Sequence, residues 1–160
     1  MKKDNKGFSL VELIVVIAII GIMATLAVTS IGPLISQRAS NAASSANSLI
    51  SKCKVFSMGR EGEVYVRIYK AADGNVLGEY WENGALIETE ILGGGSVQVS
   101  PESTFISFKR ATGGLRIFGA SQGNAAPNSG SCTISFSSAG KTYDVVIIAS
   151  TGKHEVVRND

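Results

Sequence analysis

Histidine is nearly absent from this chain of 160 residues, which also has only two cysteines and three prolines. One histidine, His154, and two distant cysteines, Cys53 and Cys132, with no C-x-x-C pair, supply too few ligands for a zinc centre. His154 is followed by Glu155, but no nucleophile motif or paired carboxylates accompany them. The histidine therefore reads as a surface residue on a terminal strand rather than as a general base. Gly93-Gly94-Gly95 lacks both the G-x-G-x-x-G spacing and a following helix, so it reads as a connector and not a phosphate loop. No catalytic constellation and no cofactor or metal site is expected. Charge of one sign is also lacking. The formal net charge is +2, and the first seven residues hold three lysines and one aspartate, so the side chains of the remainder sum to zero. A neutral chain offers no broad basic footprint for nucleic acid, and any such activity would need a local patch.

Tryptophan and tyrosine are missing from residues 1–57, which are rich in Ile, Val, Ala and Ser. All four tyrosines, Trp81 and most of the glycines come later. The shift points to a long N-terminal helix joined to a glycine-punctuated β domain of residues 58–160, large enough for a modest core.

The apolar run of residues 13–28 is interrupted only by Thr25. A buried core helix does not explain it, because it is apolar around its whole circumference. A secretory signal peptide is kept open by the small residues Ala24 and Ala27. A plain membrane anchor fits the length, which approaches the roughly 20 residues a bilayer takes, and Lys2, Lys3 and Lys6 would hold the N-terminus in the cytoplasm. Neither accounts for Glu12. A carboxylate in a membrane segment costs on the order of 2.5–3.5 kcal/mol at the centre, less near an end, and usually marks a function or a partner.

Gly7-Phe8-Ser9-Leu10-Val11-Glu12-Leu13, behind a basic leader and ahead of the apolar run, resembles the processing motif of type IV prepilins and pseudopilins. The resemblance implies that residues 1–7 are a leader cut off after Gly7 by a prepilin peptidase, that Phe8 becomes the N-methylated first residue, and that residues 8–31 are a transmembrane and filament-core helix. It further implies that Glu12 pairs with the Phe8 amine of a neighbouring pilin in a helical filament. Two charges that are each costly in lipid offset one another when paired, and such a pair can specify register. The implied partners are the peptidase, other pilins or pseudopilins, the inner-membrane assembly platform and, before assembly, lipid. The implied location is a single-pass bacterial inner-membrane protein with an extracytoplasmic β domain.

Gly32-Pro33 should loosen or kink the helix. Helical signals continue over residues 32–57, where Ile35, Ala39, Ala42, Ala46, Leu49, Cys53 and Phe56 recur at alternating spacings of four and three, an amphipathic stripe that faces a core. Strand character appears at residues 63–70, 75–81, 85–92, 96–100, 104–109, 114–118, 131–137, 142–149 and 154–158. The continuous run Val145-Val146-Ile147-Ile148 is expected to be a central strand buried on both faces. Asn83-Gly84 is the clearest hairpin turn, joined by Asp73-Gly74-Asn75 and Ala139-Gly140-Lys141. Strands in succession without helices imply antiparallel sheets. Residues 119–131, small, polar and aperiodic, read as a long mobile loop. Tyr80 and Trp81 read as packing residues.

The fold expected is thus α+β and pilin-like: a long N-terminal helix, half membrane and half amphipathic, on an antiparallel two-sheet β domain. Cys132 on an apolar strand, Gly140, the run Tyr143 to Ile148, Thr151-Gly152-Lys153 and a last apolar strand at Val156-Val157 resemble the GspH/FimT subgroup of minor pilins and pseudopilins. Cys53 points at the sheet, so a disulfide to Cys132 is one expectation and two buried thiols the other. Some subgroup members take up DNA through basic C-terminal residues. Lys153 and Arg158 are the candidates here, diluted by Glu155 and Asp160. A minor pilin or pseudopilin of a pilus, type II secretion or competence machine is the leading expectation. A major pilin and a DNA-binding receptor pilin are the alternatives.

Overall fold

The computed structural model describes residues 10–29 and 31–159, with side-chain surroundings for residues 10–23 and 37–159. The chain divides into two units, Met1–Leu34 and Ile35–Asp160. In the first, α1 spans Leu10–Thr29. The helix α2 spans Ile31–Gly59, most of it in the second unit. The expected kink at Gly32-Pro33 falls in α2 near its first described residues, Ser30 lying outside them.

Nine strands follow α2: β1 Val64–Lys70, β2 Val76–Glu82, β3 Ala85–Gly93, β4 Gln98–Ser100, β5 Ser103–Phe108, β6 Leu115–Gly119, β7 Ser131–Ser138, β8 Lys141–Ile148 and β9 His154–Asn159. They form two antiparallel sheets, one ordered β3-β2-β1-β5-β6 and the other β4-β7-β8-β9. At the β2–β3 hairpin, Asn83 and Gly84 both adopt positive φ, 51° and 78°, matching the twist of the strands they join. Asn83 fixes that turn to the start of β1, its N–H donating to the Glu63 carbonyl at 2.8 Å and its Oδ1 accepting from the Glu63 N–H at 2.9 Å.

The α2 stripe is buried as a row of small residues. Ala39, Ala42, Ala43, Ala46, Ile50 and Cys53 are fully covered and Leu49 nearly so. Four alanines let the helix lie close to the sheets. Gly78 of β2 lets it lie closer still: a Cβ there would stand 2.5 Å from Leu49 Cδ2. The other side of this core is Val66, Ile68, Val76, Tyr80 and Ile106 from the first sheet and Ile134, Phe136, Val145 and Ile147 from the second. Tyr80 packs on Phe56 with ring centroids 5.8 Å apart.

Two expectations are corrected. β8 lies centrally between β7 and β9, but it is buried on one face only: Val145 and Ile147 are covered while Ile148 is 39% exposed. The reason is that this sheet has the core on one side and solvent on the other. Residues 119–131 do not run free either. They are tied along β6 by an Ile117–Ala125 bridge, by the Ala126 N–H on the Arg116 carbonyl (3.0 Å) and by the Phe118 N–H on the Asn124 carbonyl (3.2 Å).

Candidate functional site

α1 carries one carboxylate, Glu12, close to the first of its described residues. The rest of its described surface is aliphatic and open. Leu10, Val11, Leu13, Ile14, Val15, Val16, Ile17, Ile19, Ile20, Ile22 and Met23 are each between 45% and 74% exposed. They leave no polar face, so an amphipathic role on the chain's own core does not apply. Exposed apolar surface of this extent marks a region that a partner or lipid covers. Among the described residues no helix is long and apolar enough to cross a membrane, the described side chains of α1 ending at residue 23. Gly7 and Phe8 lie outside the described residues.

Cys53 and Cys132 are both buried with free thiols, one of the two alternatives read from the sequence. The two thiols have different surroundings. Cys53 Sγ is directed at the first sheet, 3.7 Å from the Ile106 carbonyl of β5 and 3.9 Å from Ser57 Oγ, whereas Cys132 is on β7 of the second, opposite Ile147. Burial pushes the Cys53 thiol up to about 12, against the smaller downward pull of Ser57, and also raises Cys132.

His154, expected on an open surface, is half-buried against α2. Its Nε2 is 2.7 Å from Ser51 Oγ and its Nδ1 2.9 Å from the Gly152 carbonyl. Ser51 Oγ also donates to the Asn47 carbonyl one turn back, at 2.9 Å. Beside it the Lys54 ammonium donates to the Thr151 and Gly152 carbonyls at 3.1 and 3.2 Å. Together these polar contacts tie α2 to the turn before β9. Lys153 and Arg158 are exposed at the two ends of β9, with the exposed Glu155 between them, so the structure does not gather a basic patch there.

The outer face of the first sheet carries an aromatic and charged cluster that no motif marks. Tyr65 stacks on Trp81 (5.7 Å, 9° between planes), and the Arg67 guanidinium lies 4.2 Å from the Tyr69 ring centroid and 5.4 Å from that of Phe105. Glu79, only 8% exposed, accepts from the Tyr69 hydroxyl at 2.8 Å and from Trp81 Nε1 at 3.0 Å. Alternation supplied the only signal: Tyr65, Arg67 and Tyr69 are the odd positions between the apolar Val64, Val66 and Ile68. Two clefts adjoin α2, one of about 110 Å³ beside Ser57, Arg110 and Arg116 and one of about 280 Å³ beside Arg38, Asn41 and Ile91. Both are smaller than the ~300–1,000 Å³ of a drug-sized ligand site.

Residues 2–28 match the family described as the prokaryotic N-terminal methylation motif. The match supports a type IV prepilin-like protein, a class that is structural and not enzymatic. It implies processing by a prepilin peptidase and assembly with other pilins. It ends within α1 and does not extend into the β domain. No curated protein and no solved structure matches the chain.

Proposed function

We propose that the chain is a minor pilin or pseudopilin of the GspH/FimT type, a structural subunit that a prepilin peptidase cuts between Gly7 and Phe8 and methylates at Phe8. One observation carries the reading: the methylation motif over residues 2–28 runs into a helix that is aliphatic on every described face except at Glu12. Before assembly, lipid covers that helix. After assembly, neighbouring copies do, and Glu12 meets the amine that cleavage creates on the next subunit. The α2–β unit, with its own closed core, forms the outer surface of a pilus or pseudopilus.

Intact mass of the mature protein from membranes is expected to show loss of residues 1–7 and gain of one methyl group. An unprocessed chain, or a cut after Ala24 or Ala27, overturns the reading. Glu12→Ala is expected to be inserted and cleaved but to enter filaments poorly, and normal incorporation of that variant removes Glu12 from the assembly contact.

A further inference from the structure

His154 is the single histidine of the chain, and its two ring nitrogens meet oxygens of different kinds. Nδ1 lies 2.9 Å from the Gly152 carbonyl, and Nε2 lies 2.7 Å from Ser51 Oγ. A carbonyl has no proton to give, so Nδ1 must carry one. The Ser51 hydroxyl has one proton, and the Asn47 carbonyl, 2.9 Å away, takes it. Oγ can then only accept from the ring, so Nε2 must carry a proton too. A ring that donates from both nitrogens is the imidazolium.

The neutral ring is one proton short of these contacts. With its proton on Nε2, the Nδ1 lone pair would face the Gly152 carbonyl, two acceptors with nothing between them. With the proton on Nδ1, the Nε2 lone pair faces Oγ, and Ser51 has to turn its hydroxyl from Asn47 to the ring. The second arrangement costs less, because the Asn47 carbonyl sits inside α2 and keeps the N–H of Ser51 as its helical donor. The neutral ring therefore holds Ser51 only by taking the proton out of a bond within α2. Every element packed around the ring bears on its charge. α2 presents the Lys54 ammonium, which donates to the same Gly152 carbonyl at 3.2 Å and opposes a second positive charge. β5 presents the uncharged Phe108 ring, 6.4 Å between centroids. β8 places Ile147 opposite His154, and β7 places the Cys132 thiol opposite Ile147. Lys153 and Glu155 flank the histidine in the chain, and both are exposed.

We propose that His154 is a proton-sensitive clasp between α2 and the turn that opens β9. The imidazolium bonds Ser51 and Gly152 at once and leaves the Ser51–Asn47 bond intact. Loss of one proton sets the ring and Asn47 in competition for the Ser51 hydroxyl. The contribution of the clasp to stability is therefore full in acid and falls as pH rises through the range in which imidazole titrates, about pH 5 to 8. The clasp stands apart from the assembly reading, since neither Phe8 nor Glu12 takes part in it.

The test uses the full-length chain in detergent with a purification tag free of histidine, so that His154 gives the only imidazole signals. Nitrogen-15 shifts of the ring read its protonation directly. Both nitrogens are expected to be protonated at about pH 5.5, and Nδ1 alone at about pH 8. Ser51→Ala, which removes the acceptor of Nε2–H, should move the midpoint of this titration to lower pH, and Lys54→Met, which removes the opposing charge, to higher pH. Ser51→Ala and His154→Gln, singly and together, are then compared by urea unfolding. Coupling between the two positions is expected to change the unfolding constant about fivefold at about pH 5.5 and less than about twofold at about pH 8, as for one hydrogen bond of about 1 kcal/mol. A neutral ring protonated on Nε2 overturns the proposal, as does a midpoint that Ser51→Ala leaves in place. Coupling of equal size at the two pH values shows a contact of packing alone and overturns it too. If the double variant does not fold, the ring shifts of the wild-type and Ser51→Ala chains decide.

Discussion

α1 and α2 are consecutive helices that handle apolar surface in opposite ways. α1 is aliphatic all round, and its described apolar side chains stay open. α2 confines its apolar residues to one stripe, makes most of them alanine, and covers them completely. The difference is between burial completed inside one chain and burial left for something else to complete. α2 is part of a folding unit, so its residues should report on stability. α1 should report on insertion and assembly.

The sharpest way to break that comparison is to truncate one aliphatic side chain in each helix. Ile50→Ala, at a fully buried position of α2, is expected to destabilise the β domain by about 2–5 kcal/mol through lost transfer energy and a cavity. Ile19→Ala, half exposed on α1, is expected to move the same denaturant midpoint by less than about 0.5 kcal/mol. Equal losses in urea unfolding of the two full-length variants would show that α1 is folded into the domain after all.

A smaller effect is expected from the socket that lets α2 lie close. Gly78→Val puts a Cβ at 2.5 Å from Leu49 Cδ2 and 3.1 Å from Leu92 Cδ1. Both leucines are buried, so they yield only by disturbing their neighbours, at about 1–3 kcal/mol. Thermal unfolding checks this, and Leu49→Ala in the Gly78→Val background should recover part of the loss.

The smallest expected effect is seen only at high pH. The folded Cys53 thiol holds its proton to about 12 against an ordinary value of 9.0, because burial penalises the thiolate. A raised folded value means that the stabilisation is fully present below pH 9 and is lost as pH rises toward 12. Tyr65, Tyr69 and Tyr80 are raised too, chiefly by burial, but from an ordinary value of 10.0, so their contribution begins to fall later. Between pH 9 and 10 the unfolding midpoint is therefore expected to drop, and Cys53→Ala should reduce that drop, the buried Cys132, also raised from 9.0, supplying the remainder. An unchanged slope in the variant would show that the thiol is not the group responsible.

The strands were legible because their signal is local. All nine expected segments appear within a few residues of their predicted bounds, set by alternation and by turn residues such as Asn83-Gly84 and Ala139-Gly140. The α2 stripe was legible at Ala39, Ala42, Ala46, Leu49 and Cys53. Ala43 and Ile50 escaped because a helix facing two sheets buries a wider arc than one regular stripe. What could not be read was pairing over distance. Nothing near β1 says that its second neighbour is β5, or that β4 leaves the first sheet for the second. Hence the sequence could not tell that Cys53 and Cys132 serve different sheets, that Ser51 meets His154, or that β3 is an open edge. Glu12 stood out in the sequence as a candidate because one charge in an aliphatic helix is conspicuous without any knowledge of what surrounds it.

The buried cysteines have a redox consequence. A thiol that keeps its proton to about 12 holds a thiolate fraction on the order of one part in 10⁵ at neutral pH, and thiolate is the species that oxidants and other disulfides attack. With both sulfurs enclosed, the two thiols of the α2–β unit are shielded from such attack.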